Sequence, residues 1–147
     1  MIESHAVLHD FLLYSGLLAL KMMVLPLITA YYRLKNRVIA TPEDSFYMPD
    51  ATICRDEDVE RSRRAQRNDM ENILVFLPLA FLYAMFCDPS ESYFRYHMMG
   101  YTFCRYLCTL FHIGKCRQPS RTIAWTAGFA IQLSVAMQIL YTAWNVE

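Results

Sequence analysis

Four long apolar stretches fill most of this 147-residue chain and restrict what it can fold into. They lie at residues 11–32, 69–87, 96–113 and 122–144. A helix of about 20 residues crosses the hydrocarbon core of a bilayer, so each stretch is long enough, or nearly so, to span a membrane. Too little chain remains outside them to cover their apolar faces. The sequence therefore predicts an all-α, integral membrane four-helix bundle with a single domain, residues 1–147. A soluble helical bundle is the alternative, because the second and third stretches are short and polar.

The distribution of basic residues predicts the orientation of this bundle. Lys and Arg are concentrated in the loop before the second stretch, residues 33–67, and in the loop before the fourth, residues 115–121. The connection between the second and third stretches carries only Arg95, and both termini lack Lys and Arg. Cytosolic loops are enriched in basic residues, so both basic loops are expected in the cytosol and both termini on the luminal side. The first stretch has no basic segment before it and no cleavage site after it, which favours a retained helix.

Composition gives no indication of nucleic acid or metal binding. The chain carries 14 basic and 14 acidic residues, so no unbalanced basic patch of the kind that attracts nucleic acid is present. Its five cysteines form no CxxC pair and show no metal-ligand spacing with histidine. Cys104 and Cys108 lie one helical turn apart in the third stretch. We expect them to pack as small buried apolar side chains, with a redox role as the alternative.

The charged segment before the second apolar stretch gives the strongest indication of function. If one helix runs from this segment into the stretch, four side chains spaced i, i+3, i+4 and i+7 share one face: Arg64, Arg67, Asn68 and Glu71. Guanidinium groups grip carboxylates with paired hydrogen bonds, and a carboxylate pairs with an ammonium group. This face is therefore suited to a small zwitterion with several carboxylates and one amine.

Ionisable residues inside the apolar stretches are expected to face the bundle interior, because charge is costly in lipid. Lys21 is expected to form an ion pair between helices. Arg105 and Glu71 lie on different helices and could either pair or share a ligand. Pro26 and Pro78 are expected to kink their helices as a matter of packing, without a site.

Two loop segments are open to two interpretations each. Thr41-Pro42-Glu43-Asp44 either starts a helix, with Thr41 as the N-cap and acids in the first turn, or supplies Asp44 to a site. Arg121 lies where the fourth stretch begins. It is either an anchor at the membrane interface or a catalytic residue.

Three motifs resemble those of one known family, the membrane-associated proteins in eicosanoid and glutathione metabolism. Residues 60–72, ERSRRAQRNDMEN, resemble the family's E-R-x-x-R-A-x-x-N-D-x-E motif. Residues 40–44, ATPED, are similar to its A-N-P-E-D loop, and residues 117–121, RQPSR, resemble the arginine-bearing start of its fourth helix. The resemblance covers nearly the whole chain and is closest to the branch of microsomal glutathione transferases and microsomal prostaglandin E synthases.

This resemblance implies a homotrimer that binds glutathione between neighbouring subunits, near the cytosolic face, without a metal. It implies the endoplasmic reticulum membrane, with the mitochondrial outer membrane as an additional location. Catalysis would fall to Arg121, which would stabilise the glutathione thiolate, and to Asp44, matched to a loop aspartate proposed to assist prostaglandin isomerisation. The cofactor-binding residues implied by the resemblance are Arg33, Arg64, Arg67, Asn68, Glu71, His112 and Thr122.

The expected activity is glutathione transfer to lipophilic electrophiles, with reduction of lipid hydroperoxides as a further reaction. The alternatives are glutathione-dependent isomerisation of prostaglandin H to prostaglandin E and, in another class, a non-catalytic lipid-binding scaffold. Relatives commonly carry His and Tyr on the third helix where this chain has Cys108 and His112, and a fourth-helix Tyr where it has Trp125. These departures leave the substrate open.

Overall fold

The computed structural model describes residues 2–145, with side chains from residue 5 onwards. The described chain forms four α-helices and one short 3₁₀ helix: α1 (Ile2–Asn36), the 3₁₀ helix (Pro42–Phe46), α2 (Glu57–Phe86), α3 (Glu91–Ile113) and α4 (Gln118–Trp144). α2 and α3 pack against each other, and both α1 and α4 pack against this pair. No Cα atom of α1 lies within 8 Å of one in α4 over the described residues. The predicted all-α bundle is confirmed.

Each helix begins before the apolar stretch that predicts it. α2 begins at Glu57, well before the stretch at 69–87, so charged and apolar segments belong to one helix. α1, α2 and α4 are each long and apolar enough to cross a membrane. α3 has 23 residues and is long enough to cross a membrane. Because it carries polar side chains such as Arg105, it is not among the helices that could span a membrane by composition. A fourth membrane span at α3 stays a prediction.

The core is formed by one apolar stripe from every helix. Leu18, Phe76, Tyr101 and Val135 are fully buried, one on each helix in chain order. The rings of Phe76 and Tyr101 stack with their centroids 3.5 Å apart. Many other large apolar side chains point outward, among them Leu27, Phe86, Phe103 and Leu133. An outward apolar surface of this extent suits contact with lipid or with another subunit.

Both helix prolines are accommodated without ending their helices. α1 continues through Pro26 and α2 through Pro78. A proline inside a membrane helix removes one backbone hydrogen bond, and neighbouring groups can compensate for it. Pro26 lines a cavity of about 480 Å³ beside the end of α1.

The connection from α1 to α2 is held by local contacts near the start of α2. Val38 pairs with Thr52 in an isolated bridge, which folds the connection back on itself. Asp56 caps α2, where its side chain accepts hydrogen bonds from the backbone N–H groups of Asp58 and Val59. The same carboxylate accepts two hydrogen bonds of 3.0 Å from Asn36 at the end of α1. These contacts fix the first turns of α2, which carry the predicted binding face.

Candidate active site

The predicted binding face of α2 lies on the side of the helix that points away from the core. Val59, Ser62, Ala65 and Asp69 are buried against the bundle. Arg64, Arg67 and Glu71 are exposed and Asn68 is half-buried on the opposite side, so the helical spacing is confirmed. Arg64 donates to Glu57 at 3.1 Å.

Side chains from α2, α3 and α4 surround a pocket of about 300 Å³ at the same end of the bundle. It brings together four of the predicted site residues: Asn68, His112, Arg121 and Thr122. The remaining lining residues are Cys108, Gln118 and Trp125. The sequence did not single out Gln118 as a partner of Arg121. Its position one turn before Arg121 at a helix start is the signal that predicts such a contact.

Arg121 is the cation of this pocket. Its Nη2 donates to the Gln118 side-chain oxygen at 2.7 Å, and its Nε is buried with no hydrogen-bond partner among the described residues. No described carboxylate forms a salt bridge with it, so its charge is not neutralised by the part of the chain that the structure describes. Thr122 donates to the Gln118 carbonyl at 3.2 Å. The pocket therefore combines an available positive charge with a hydroxyl and an imidazole.

A second and larger cavity, about 480 Å³, lies beside the end of α1. Arg33 and Asp44 line it, together with Arg63 and Gln66 of α2. Thr41 is the N-cap of the 3₁₀ helix, and its backbone N–H donates to the Asp44 carboxylate at 3.4 Å. The helix-start interpretation is therefore confirmed, with Thr41 as the N-cap, whereas a site role for Asp44 stays a prediction.

One chain alone does not assemble all of the predicted site residues. Arg33 and Asp44 line the cavity beside α1, whereas Arg121 and Thr122 line the pocket beside α4. The two helices are separated by α2 and α3. These residues thus line two separate cavities, which would be the two half-sites of a shared site, whereas Arg64, Arg67 and Glu71 line neither cavity.

A buried polar cluster lies behind the α4 pocket. Lys21 forms the expected ion pair between helices, and its partner is Asp69, with 2.5 Å between Nζ and Oδ2. The prediction that Arg105 and Glu71 could pair is wrong, because Arg105 is fully buried while Glu71 is exposed. Arg105 Nη1 instead donates to the side-chain oxygen of Asn68 at 3.2 Å. Sequence reasoning missed Asp69 as the partner of Lys21, because only the packing of the helices places Asp69 in the core.

The third-helix cysteines pack as expected. Cys108 is buried and Cys104 is half-buried, and both are free thiols. Beside the pocket, Trp125 stacks on Phe129 with ring centroids 5.2 Å apart. In the described part of the chain, no group of His, Cys, Asp and Glu side chains is placed to hold a metal ion.

Comparisons with known proteins agree with the motifs. The model of the MAPEG family matches residues 11–141. The chain is 41% identical over 138 residues to the prostaglandin E synthase of Bos taurus, covering 93% of this chain and 90% of that protein. It is 39% identical over 144 residues to the prostaglandin E synthase of Homo sapiens, covering 97% and 94%. It is 35% identical over 139 residues to microsomal glutathione S-transferase 1 of Rattus norvegicus, covering 91% and 89%.

Proposed function

This chain belongs to the MAPEG family, and we propose that it is a glutathione transferase that acts on lipophilic electrophiles within the membrane. It would activate the glutathione thiol as a thiolate and would also reduce lipid hydroperoxides with the same nucleophile. It is a membrane protein, with α1, α2 and α4 each able to span a bilayer. An enzyme is favoured over a lipid-binding scaffold because the relatives compared above are named as a synthase and a transferase.

The observation that carries this proposal is the free charge of Arg121. A thiol is a weak nucleophile until it loses its proton, and a nearby cation in a poorly hydrated site favours the thiolate. Arg121 has no carboxylate partner among the described residues, and its buried Nε is still available to donate. Thr122 and His112 line the same pocket and can hold the tripeptide beside this charge.

The exposed face of α2 would bind the rest of glutathione. Arg67 can grip a carboxylate with its guanidinium fork, and Glu71 can pair with the amine. Neither side chain forms a salt bridge with another described residue, so neither must break a contact to bind. Arg64, already paired with Glu57, would organise the face instead of binding strongly.

The complete site would form between subunits of a homotrimer. α1 of one copy would lie against α4 of the next, so that Arg33 and Asp44 of one chain approach Arg121 of its neighbour. The separation of the two half-sites in a single chain supports this arrangement. We place the trimer in the endoplasmic reticulum membrane, with both termini luminal and the glutathione sites near the cytosolic face.

A second candidate activity is the isomerisation of prostaglandin H to prostaglandin E. Identity to the prostaglandin E synthases is higher than to the transferase, 41% against 35%. Asp44 supports this reaction as well, because it faces the cavity beside α1 and would reach the shared site in the trimer. The same thiolate would open the cyclic endoperoxide.

The proposal is tested by ultraviolet thiolate absorbance when glutathione is added to the detergent-purified protein and to Arg121→Ala. Arg117→Ala is the matched control, because Arg117 lies one turn earlier at the start of the same helix. We expect a thiolate signal in the wild-type protein and in Arg117→Ala, and its loss in Arg121→Ala. Transferase turnover of Arg121→Ala should also fall, by about 10²-fold or more, which is the usual effect of removing one group that stabilises a developing anion.

Substrate turnover on the same preparations separates the two activities. Turnover of a lipophilic aromatic halide that exceeds turnover of prostaglandin H supports the transferase, and the reverse supports the isomerase. If Arg121→Ala retains both the thiolate signal and turnover, the assignment of Arg121 is wrong.

A further inference from the structure

Lys21 of α1 contacts both α2 and α3 inside the bundle. Its ammonium group lies 2.5 Å from Asp69 Oδ2 and donates to the backbone carbonyl of Arg105 at 2.8 Å. Thr109 of α3 donates to the same Asp69 oxygen at 3.0 Å. All of these side chains are buried, with Asp69 1% and Lys21 6% exposed. The positive charge of Lys21 is therefore neutralised by Asp69.

Arg105 lies in the same cluster but has no carboxylate partner among the described residues. It is fully buried, and its guanidinium donates to the Asn68 side-chain oxygen at 3.2 Å and to the Cys108 sulfur at 3.4 Å. Its carbon Cζ lies 5.6 Å from the centre of the Tyr101 ring. On the α4 side the guanidinium fits against Gly128, where an added Cβ would lie only 3.1 Å from Nη2. The fold thus makes room for a buried guanidinium without pairing it with a negative charge.

One acceptor atom and one donor atom of this cluster are left without a partner. Asp69 Oδ1 and Arg105 Nε both lack a hydrogen-bond partner among the described residues. A buried carboxylate and a buried guanidinium attract each other strongly in a medium of low dielectric constant. Lys21 and Thr109 hold the Asp69 carboxylate through its other oxygen instead. Lys21 therefore competes with Arg105 for Asp69.

The uncompensated charge lies directly behind the proposed glutathione site. Asn68 and Cys108, the two side chains that accept from Arg105, both line the pocket of Arg121. With its oxygen held by Arg105, the Asn68 amide is left with its nitrogen as a donor towards a ligand. The cluster of Lys21, Asp69 and Arg105 carries a net charge of about +1 when all three are ionised.

We propose that Lys21 is a positioning residue that withholds Asp69 from Arg105, so that Arg105 orients Asn68 and acts as a second, buried cation that stabilises the glutathione thiolate. This inference rests on the proposed function. It assigns Arg105 an electrostatic role from inside the bundle, whereas Arg121 acts from the pocket itself. Buried ionisable groups in membrane helices are costly, and a functional role explains why this one is retained without a counter-ion.

Titratable and charged groups from all four helices face Arg105 or the pocket. They are Lys21 from α1, Arg64 and Asp69 from α2, Tyr101, Cys104, Cys108 and His112 from α3, and Arg121 from α4. Asp69 is the only carboxylate bonded within the cluster among the described residues. A change in the charge of Lys21 or Asp69 is therefore expected to reach the thiolate through Arg105.

The test measures the pKa of the bound glutathione thiol from thiolate absorbance as a function of pH, in detergent-purified protein. In Lys21→Met, Asp69 is free to pair with Arg105, and the thiol pKa should rise by about one unit. In Asp69→Asn the charge of Arg105 remains, and the thiol pKa should be no higher than in the wild-type protein. The double variant Lys21→Met with Asp69→Asn should return the thiol pKa to the wild-type value. Lys35→Met removes an exposed cation from the same helix and is the control.

A purely structural ion pair gives a different pattern. Loss of either partner would then perturb the site alike, so a raised thiol pKa in Asp69→Asn, or no recovery in the double variant, overturns the inference. Circular dichroism and gel filtration identify any variant that fails to fold. If Lys21→Met fails to fold, the thiol pKa in Asp69→Asn still decides the question. Absence of a thiolate signal in the wild-type protein would contradict the proposed function and this inference together. If the wild-type protein gives a thiolate signal and the thiol pKa is unchanged in Lys21→Met, this inference is wrong but the proposed function is not contradicted.

Discussion

Charged side chains on α2 differ in whether they have a partner within the chain. Arg63 pairs with Glu60 at 2.7 Å, and Arg64 pairs with Glu57 at 3.1 Å. Arg67 and Glu71 lie on the same helix and form no salt bridge with any described residue. Their charges are consequently available to a zwitterionic ligand, and the strength of binding can be tested one residue at a time.

We predict that Glu71→Gln weakens glutathione binding by about 10-fold or more. The substitution keeps the shape and one acceptor oxygen but removes the negative charge that would pair with the amine, and hydrogen bonds to charged groups contribute about 1.5–3 kcal/mol. Isothermal titration of glutathione into the detergent-purified variant measures this change.

Glu91→Gln serves as the control for this measurement. Glu91 is paired with Arg95 near the start of α3, outside both half-sites, and its loss should leave glutathione affinity unchanged. If Glu71→Gln and the wild-type protein bind glutathione with equal affinity, Glu71 does not pair with the amine.

At the scale of the helix, the start of α2 depends on Asp56. Hydrogen bonds from the Val59 backbone N–H and from the Asn36 side chain lower the pKa of Asp56. A carboxylate whose pKa is lowered in the folded state stabilises that state above its unfolded pKa. This contribution is lost as the pH falls through the folded pKa, so the first turns of α2 should loosen in acid.

We predict that Asp56→Ala lowers the midpoint of thermal unfolding by about 2–4 °C, since the helix loses its N-cap. The difference from the wild-type protein should shrink in acid, where the wild-type carboxylate is itself protonated. Differential scanning calorimetry at neutral and acidic pH measures both effects.

Asp50→Ala is the matched control for the helix cap. Asp50 pairs with Arg37, but both side chains are largely exposed, and such pairs contribute little to stability. An Asp50→Ala variant as destabilised as Asp56→Ala would show that the cap has no special role.

At the scale of the whole molecule, local patterns in the sequence predict the helices but do not predict how the helices pack against one another. Helical spacing predicts the shared face of Arg64, Arg67 and Glu71, because neighbours along one helix are fixed by its geometry. The partners of Lys21 and Arg105 could not be predicted, because they depend on how α1, α2 and α3 rotate against one another. In the sequence Asp69 belongs to a charged segment, and only the packing of the helices places it in the core. The separation of Arg33 from Arg121 is likewise a property of the bundle and not of either segment.

In the proposed trimer, glutathione would be bound and activated between copies of the chain, with Arg33 from one and Arg121 from the next. Co-expression of Arg33→Ala and Arg121→Ala chains tests it most directly, through glutathione transferase turnover of the purified mixed oligomers. Each variant alone should be nearly inactive. Random mixing in a cyclic trimer pairs an intact Arg33 with an intact Arg121 at about a quarter of the sites, so turnover should recover to about a quarter of the wild-type value.

Co-expression of Arg121→Ala with Asn68→Ala is the control, because both side chains line one pocket of one chain and mixing leaves no intact pocket. That mixture should gain nothing over its two parents. We expect recovery only in the mixture of Arg33→Ala and Arg121→Ala. If this mixture stays at the level of the separate variants while both chains are present in the same oligomers, the site is not shared between copies.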